Sequence, residues 1–265
     1  MQTDINPASG MNDQPMLSGI PILTYHSIDE SGSVISTSTD VFQTQMKLLA
    51  DANYNVISLS ELARILTAKG ELRAKTLVLT FDDGFQNFYS EAFPVLEKYG
   101  FKATVFLVTD FCGKFNDWAG NPPELPRSKV LSWGEIREMD RYGIEFGSHT
   151  RTHPDLTRLP VEQGKSEMSE SKMAIEDALG RKVETFAYPF GRHNAEIKQI
   201  AKENFTAACS TNLGKVRPDS DFFSLNRLDS YYLKNPRLFV MLSSKAFDRY
   251  MQFRQAMRIV KSLFN

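Results

Sequence analysis

Histidine is scarce in this chain, with four in 265 residues, and cysteine is scarcer, with two. Cys112 and Cys209 stand far apart and match no CxxC spacing. That excludes a thiolate zinc knot and a disulfide framework, and leaves the expectation of one buried thiol and one loop thiol. Neither sign of charge prevails: 31 basic residues against 32 acidic ones give a formal net charge of -1. A sequence-blind nucleic-acid binder would be more basic, so no nucleic-acid partner is expected. No stretch reaches the roughly 18 apolar residues of a membrane span. The opening MQTDINPASGMNDQPMLSG has neither the basic start nor the apolar core of a signal peptide. As written, the chain is expected in the cytoplasm, and outside it if a leader has been removed. Oligomeric state is not legible.

What is present is an alternation. IPILTYHSI, YNVISL, KTLVLTF, KATVFLVT, IEFGSHT, VETFAYPF and FTAACS read as strands. Between most of them lie segments with apolar residues at helical spacing, several opening on Ser and closing on Gly. Ser132 three residues before Glu135 is a capping box. Strand and helix alternating every 30 to 40 residues predict βαβ units around a parallel sheet. No Pro/Gly/Ser linker interrupts them, so one α/β domain is expected over residues 20–244. A loose segment is expected over residues 1–19 and a basic amphipathic helix over residues 245–265. In that helix Phe253, Met257, Val260 and Phe264 form an apolar stripe, and Lys245, Arg249, Arg254, Arg258 and Lys261 face a single acid, Asp248. Packing against the domain is the first expectation for it, and contact with a membrane surface the second.

The chemistry begins at LTFDDGF, where a continuous apolar strand runs into Asp82 and Asp83. Adjacent carboxylates repel unless something collects them. Taken alone, FDDG serves equally well as a helix N-cap. The second stretch, GSHTRTHPDL, also lies at a strand end and carries His149 and His153, half of the histidines. Two imidazoles and one carboxylate make a three-ligand set for a divalent ion. Such a set leaves positions open for water and substrate, and lowers the pKa of the water it holds. One aspartate is then a ligand and its neighbour is free to act as a base. Zinc is the first expectation; iron, cobalt, nickel and manganese fit the same donors.

TFDDG (Thr80 to Gly84) and SHTRTHP (Ser148 to Pro154), in that order, resemble the first two motifs of the polysaccharide deacetylases, the NodB-homology group or carbohydrate esterase family 4. ILTYHSI and FAYPFG (Phe186 to Gly191) extend the likeness to about residues 20–230. The resemblance implies a distorted (β/α) barrel of about seven parallel strands. It also implies hydrolysis of N-acetyl groups on a sugar or polysaccharide, with Asp82 as base and Asp83, His149 and His153 on the metal. Two departures stand out. The arginine that opens the family's third motif is replaced by Ala187, and no histidine follows His193 to serve as the late acid. The family branch acting on poly-N-acetylglucosamine carries its acid histidine in an N-terminal YH motif. TYHSI resembles it, which favours His26 over His193 as general acid. In SLNRLDS, Arg227 is a candidate to replace the missing arginine and orient Asp82, with Asp229 as a further partner. Phe190 offers a backbone N–H for the oxyanion. Trp118, in the long irregular insert, Tyr188 and Phe190 are candidate sugar contacts; Trp133 reads as packing. Two other functions remain open: hydrolysis of another C–N bond, of ureide or amidine type, and carbohydrate binding without turnover.

Overall fold

The computed structural model describes residues 19–262. The N-terminal segment expected to be loose, apart from Gly19, and Phe264 of the terminal stripe lie outside the described residues. In chain order the elements begin with β1 (Ile22–Tyr25), the short parallel pair β2 (Ser27–Ile28) and β3 (Ser36–Thr37), α1 (Thr39–Asp51), β4 (Asn55–Ile57), α2 (Leu59–Thr67) and β5 (Thr76–Phe81). A π-helical turn, Phe88–Ala92, leads into α3 (Phe93–Tyr99). Then come β6 (Thr104–Leu107), α4 (Trp133–Arg141), β7 (Glu145–Ser148), α5 (Val161–Leu179) and β8 (Thr185–Ala187). The chain continues with α6 (Ala195–Asn204), β9 (Ala207–Leu213), β10 (Leu225–Asp229), α7 (Pro236–Val240) and α8 (Lys245–Ser262). Local chemistry sets several boundaries. Ser58 and Ser132 cap α2 and α4, the second through a complete capping box with Glu135. Gly100 and Gly180, both left-handed, stop α3 and α5.

The main sheet runs β1-β10-β9-β8-β7-β6-β5, and β1 pairs in parallel with β5 to close it. The fold is a distorted (β/α) barrel of seven parallel strands. The distortion has a visible cause. β4 and β6 share one edge of β5: β4 takes Thr76 to Val78 and β6 takes Thr80 and Phe81. SLNRLDS, read from sequence only as an apolar run around Arg227, supplies the strand β10 between β9 and β1.

Alternate strand residues point to opposite faces. Ile22, Val78, Phe106, Ala187, Cys209 and Leu225 form the interior cluster together with Leu59, Leu62 and Ala63 of α2. Leu23, Tyr25, Leu77, Leu79, Phe81, Val105 and Leu228 pack outward beneath the helices. Toward the C-terminal end the inward positions become polar: Thr24, Thr80 and Arg227 are all buried. The barrel thus changes from oily to hydrogen-bonding along its axis, and the polar end is where the strands deliver their carboxylates and imidazoles.

The terminal helix differs from expectation in its facing. Phe247 and Met251 pack into the core, while Phe253, Met257 and Val260 are exposed. Asp248 pairs with Lys215 rather than with the helix's own basic residues.

Gly84 closes the turn after β5 at φ 65°, where a Cβ would come within 2.9 Å of Leu107 Cδ2. Gly84→Ala is expected to destabilise the protein by about 1–3 kcal/mol, combining left-handed strain with that close contact. Urea unfolding of the two proteins measures the difference.

Candidate active site

Four strand ends meet at the C-terminal mouth of the barrel: β1 at His26, β5 at Asp82 and Asp83, β7 at His149, and β8 at Tyr188 to Phe190. Side chains at such ends converge because the barrel holds its strands in register. Asp82 continues the inward parity of Val78 and Thr80. Asp83 would point outward, but its left-handed backbone, φ 70°, turns it back. Aspartate tolerates this conformation better than most residues.

Arg227 lies inside the barrel, fully buried, directly beneath Asp82. Its two terminal nitrogens donate to the two carboxylate oxygens of Asp82, at 2.7 Å each. Nε donates to the Ser210 carbonyl at 2.9 Å, and Nη1 also reaches Thr80 Oγ1 at 3.3 Å. Burial by itself would raise the Asp82 pKa, yet the guanidinium holds the carboxyl well below the usual carboxylate range. Asp82 is therefore ionised and fixed in plane by a two-pronged pair. His26 lies on the other side, its Nε2 3.9 Å from Asp82 Oδ2, with the side chain 23% exposed.

Asp83, His149 and His153 face one another. Asp83 Oδ1 is 3.5 Å from His149 Nε2 and 3.4 Å from His153 Nε2, and the three donor atoms lie within 4.8 Å of one another. His149 Nδ1 contacts the Ala187 carbonyl at 2.7 Å. A carbonyl only accepts, so Nδ1 carries the proton and Nε2 presents a lone pair. Burial pushes the His153 pKa down to about 4, which Asp83 only partly opposes, so this ring is neutral at ordinary pH. Asp83 Oδ1 is buried with no hydrogen-bond donor among the described residues. A lone pair of His149, the His153 ring and a carboxylate oxygen therefore converge with no hydrogen bond between them among the described residues. That is an unfavourable arrangement for a protein by itself and a fitting one for a cation. Ligands about 2.0–2.1 Å from a tetrahedral ion stand about 3.4 Å apart, close to the Asp83–imidazole separations. The residues fit a single divalent metal ion; they do not select zinc among its neighbours.

The loop between the two histidines carries strain. Thr150 and His153 have φ of 68° and 60°, a conformation costing roughly 1–3 kcal/mol per residue. The loop is tied down by Thr109 and Asp110 donating from the end of β6 to the Thr150 and Arg151 carbonyls. Glu167 of α5 accepts from the amides of Arg151 and Thr152.

The other expected residues fare differently. Trp118 is 4% exposed and packs against His153, Phe111 and Phe85, at ring separations of 5.1, 5.4 and 6.3 Å. It forms a wall behind a ligand and offers little face to a sugar. Tyr188 is fully buried; its hydroxyl donates to the Phe223 carbonyl and its amide to the Cys209 carbonyl, so it points away from the mouth. Phe190 is 41% exposed, left-handed at φ 58°, with its ring 4.8 Å from that of His153. His193 stacks on Tyr188 and contacts Ser224 at 2.9 Å, outside the group around Asp82. Asp229 caps the turn that follows β10, accepting from the Tyr231 amide. Glu167 had no signal in the sequence: it lies on the polar face of a long helix, one acid among several.

A sequence profile of the polysaccharide deacetylase family matches residues 69–207. The protein YxkH of Bacillus subtilis, named as a polysaccharide deacetylase, is 31% identical over 234 residues, covering 88% of this chain and 76% of its own. The poly-beta-1,6-N-acetyl-D-glucosamine N-deacetylase of Staphylococcus epidermidis is 28% identical over 207 residues, covering 73% and 67%. Among solved structures, the Streptococcus pyogenes deacetylase PplD in complex with acetate superposes with a TM-score of 0.71 and 30% identity, covering 80% of this chain and 92% of that one. The chain belongs to the polysaccharide deacetylase family.

Removing Arg227 leaves Asp82 buried and unpaired. Arg227→Ala is expected to cost about 3–5 kcal/mol in unfolding free energy at neutral pH. The folded-state pKa of Asp82 is depressed, so its ion pair adds stability above the ordinary carboxylate pKa of about 3.9. That stability disappears as pH falls below it. The difference between Arg227→Ala and the parent is therefore expected to shrink in acid, which denaturant titrations at several pH values measure.

Proposed function

We propose that this protein is a metal-dependent hydrolase that removes N-acetyl groups from an N-acetylated sugar or glycan. The observation that carries the reading is the geometry around the Asp82–Asp83 pair. One carboxylate faces two imidazole nitrogens, and its neighbour is held ionised between Arg227 and His26. Asp83, His149 and His153 would hold a divalent ion, which when bound would supply a Lewis acid for the acetyl carbonyl and lower the pKa of a bound water. Asp82, ionised and locked in plane, accepts the proton of the attacking water. The Phe190 amide is the candidate donor to the oxygen that gains charge. His26, part-exposed and across from Asp82, delivers a proton to the departing amine nitrogen. Arg227 orients Asp82 without touching substrate, taking the part of the arginine absent at Ala187. Phe190, with its ring exposed at the mouth, is the aromatic placed to meet a sugar face.

The glycan class is supported by the relatives' names, several of which specify poly-beta-1,6-N-acetyl-D-glucosamine. β-1,6-linked N-acetylglucosamine oligomers are therefore the first substrates to assay. Acetate release is expected from the metal-loaded protein, to fall about 10²–10⁴-fold in Asp82→Asn and in His26→Ala, and to be unchanged in His193→Ala. Ammonia release from a ureide without acetate release would transfer the protein to the other C–N hydrolases. Glycan binding with no turnover would make it a binding protein.

We also propose that α8 meets an anionic membrane surface. No helix among the described residues is long and apolar enough to cross a membrane. The outward side of α8 nevertheless exposes Phe253, Met257 and Val260 beside Lys245 and Arg249, and the helix's one acid is engaged by Lys215. Sedimentation with phosphatidylglycerol vesicles, weakened by salt and by Phe253→Ser with Met257→Ser, is the expected result. Equal sedimentation with phosphatidylcholine alone, or none with either, would remove the proposal.

A further inference from the structure

We propose that Glu167 is a positioning residue for the metal centre: its carboxylate clamps the loop that carries His149 and His153 and thereby fixes where His153 presents its lone pair. The two histidines leave β7 four residues apart, and the chain between them makes a tight loop rather than a helical turn. Thr150 and His153 are both left-handed at their backbones. Such a loop relaxes unless its surroundings over-determine it. Three sets of contacts hold it. Inside the loop, Thr150 Oγ1 accepts from the His153 amide at 3.0 Å. On one flank, the amides of Thr109 and Asp110 donate to the Thr150 and Arg151 carbonyls at 3.2 and 3.0 Å. On the other flank stands one side chain. Glu167 Oε2 accepts from the Arg151 amide and the Thr152 amide, both at 2.9 Å, and Glu167 Oε1 accepts from Thr152 Oγ1 at 2.7 Å.

Three hydrogen bonds to one carboxylate, two of them from successive amides, form a concavity of donors filled from α5. The residue after the second amide is His153. Its ring has no hydrogen bond of its own to set its direction: Nδ1 is buried without a partner among the described residues. His149 is different, because the Ala187 carbonyl orients its ring directly. His153 is aimed through its backbone and by packing between Trp118 and Phe190, and Glu167 is the side chain that sets that backbone from α5. Glu170, one turn further along α5, serves as the contrast. It binds the Arg151 guanidinium at 2.6 Å and touches no amide of the loop.

The inference rests on Asp83, His149 and His153 being metal ligands, and the experiment separates the two claims. The full chain is stripped of metal and titrated with Zn2+ against a chromophoric chelator. Co2+ absorption serves as a second, spectroscopic readout, and the unfolding midpoint of each metal-free protein is recorded. Glu167→Ala is expected to weaken Zn2+ binding about 10–100-fold, the range found for residues that support metal ligands, and to change the Co2+ spectrum. Glu167→Gln, which keeps an oxygen for the amides, is expected to lie between it and the parent. Glu170→Ala is expected to bind within about threefold of the parent. If Glu167→Ala does not fold, Glu167→Asp, too short to span to both amides, is read in its place with the same expectation. Zn2+ affinity and a Co2+ spectrum equal to those of the parent in the Ala variant, or in the Asp variant standing in for it, would overturn the proposal. So would an equal loss in Glu170→Ala. No Zn2+ binding by the parent would instead overturn the metal centre itself.

Discussion

Everything at the mouth of this barrel depends on the pairing of β1 with β5. Ile22 to Tyr25 run alongside Val78 to Phe81 and convert an open sheet into a ring. Once the ring is closed, inward and outward positions are defined on every strand. Asp82 must follow Val78 and Thr80 into the interior, and Arg227 on β10 must follow Leu225. β10 neighbours β1, so the guanidinium arrives beneath the β5 carboxylate and His26 stands beside it. An open sheet of the same strands would put Asp82 and Arg227 at opposite ends of the layer.

Burial then works on the two aspartates in opposite ways. Asp82 is given a permanent cation, itself held by two neutral oxygens, the Ser210 carbonyl and Thr80 Oγ1, so its charge is settled within the fold. Asp83 is given two imidazoles and, among the described residues, no hydrogen-bond partner for its Oδ1. Two adjacent acids thus acquire different work: one is saturated by the protein, the other left to an ion. A buried pair such as Arg227–Asp82 is weak evidence for stability, because desolvation offsets much of its attraction. What the pair does show is geometry: two parallel hydrogen bonds that fix the plane of the Asp82 carboxylate.

Much of this was legible in order along the chain. FDDG and SHTRTHP stand at strand ends, and apolar runs of strand length announce a parallel sheet. The exceptions have particular reasons. β10 hid because its inward residue is Arg227, and a charge in an apolar alternation reads as surface. Trp118 read as a sugar contact because it sits in a long irregular segment. That segment folds back through the Phe115–Lys129 and Phe85–Val130 bridges and buries the indole in a small cluster of its own. On α8 the residues that pack, Phe247 and Met251, are fewer than those that do not, so the apolar stripe was assigned to the wrong face.

The sequence by itself determined the class of fold, the two motifs and the pair of histidines offered to a metal, because these are set by neighbours in the chain: strand periodicity, the Gly84 turn and the spacing of His149 and His153. Only the tertiary structure decided which aspartate is saturated and which is left open, which histidine stands beside Asp82, and which acid of α5 holds the loop. Those choices are made by residues 145 positions apart, as Arg227 and Asp82 are, or 15 and 16 apart across a packed interface, as Glu167 and its loop are. Hydrogen-bond geometry between such groups is created by closure of the barrel and by helix packing, and leaves no periodic trace in the chain.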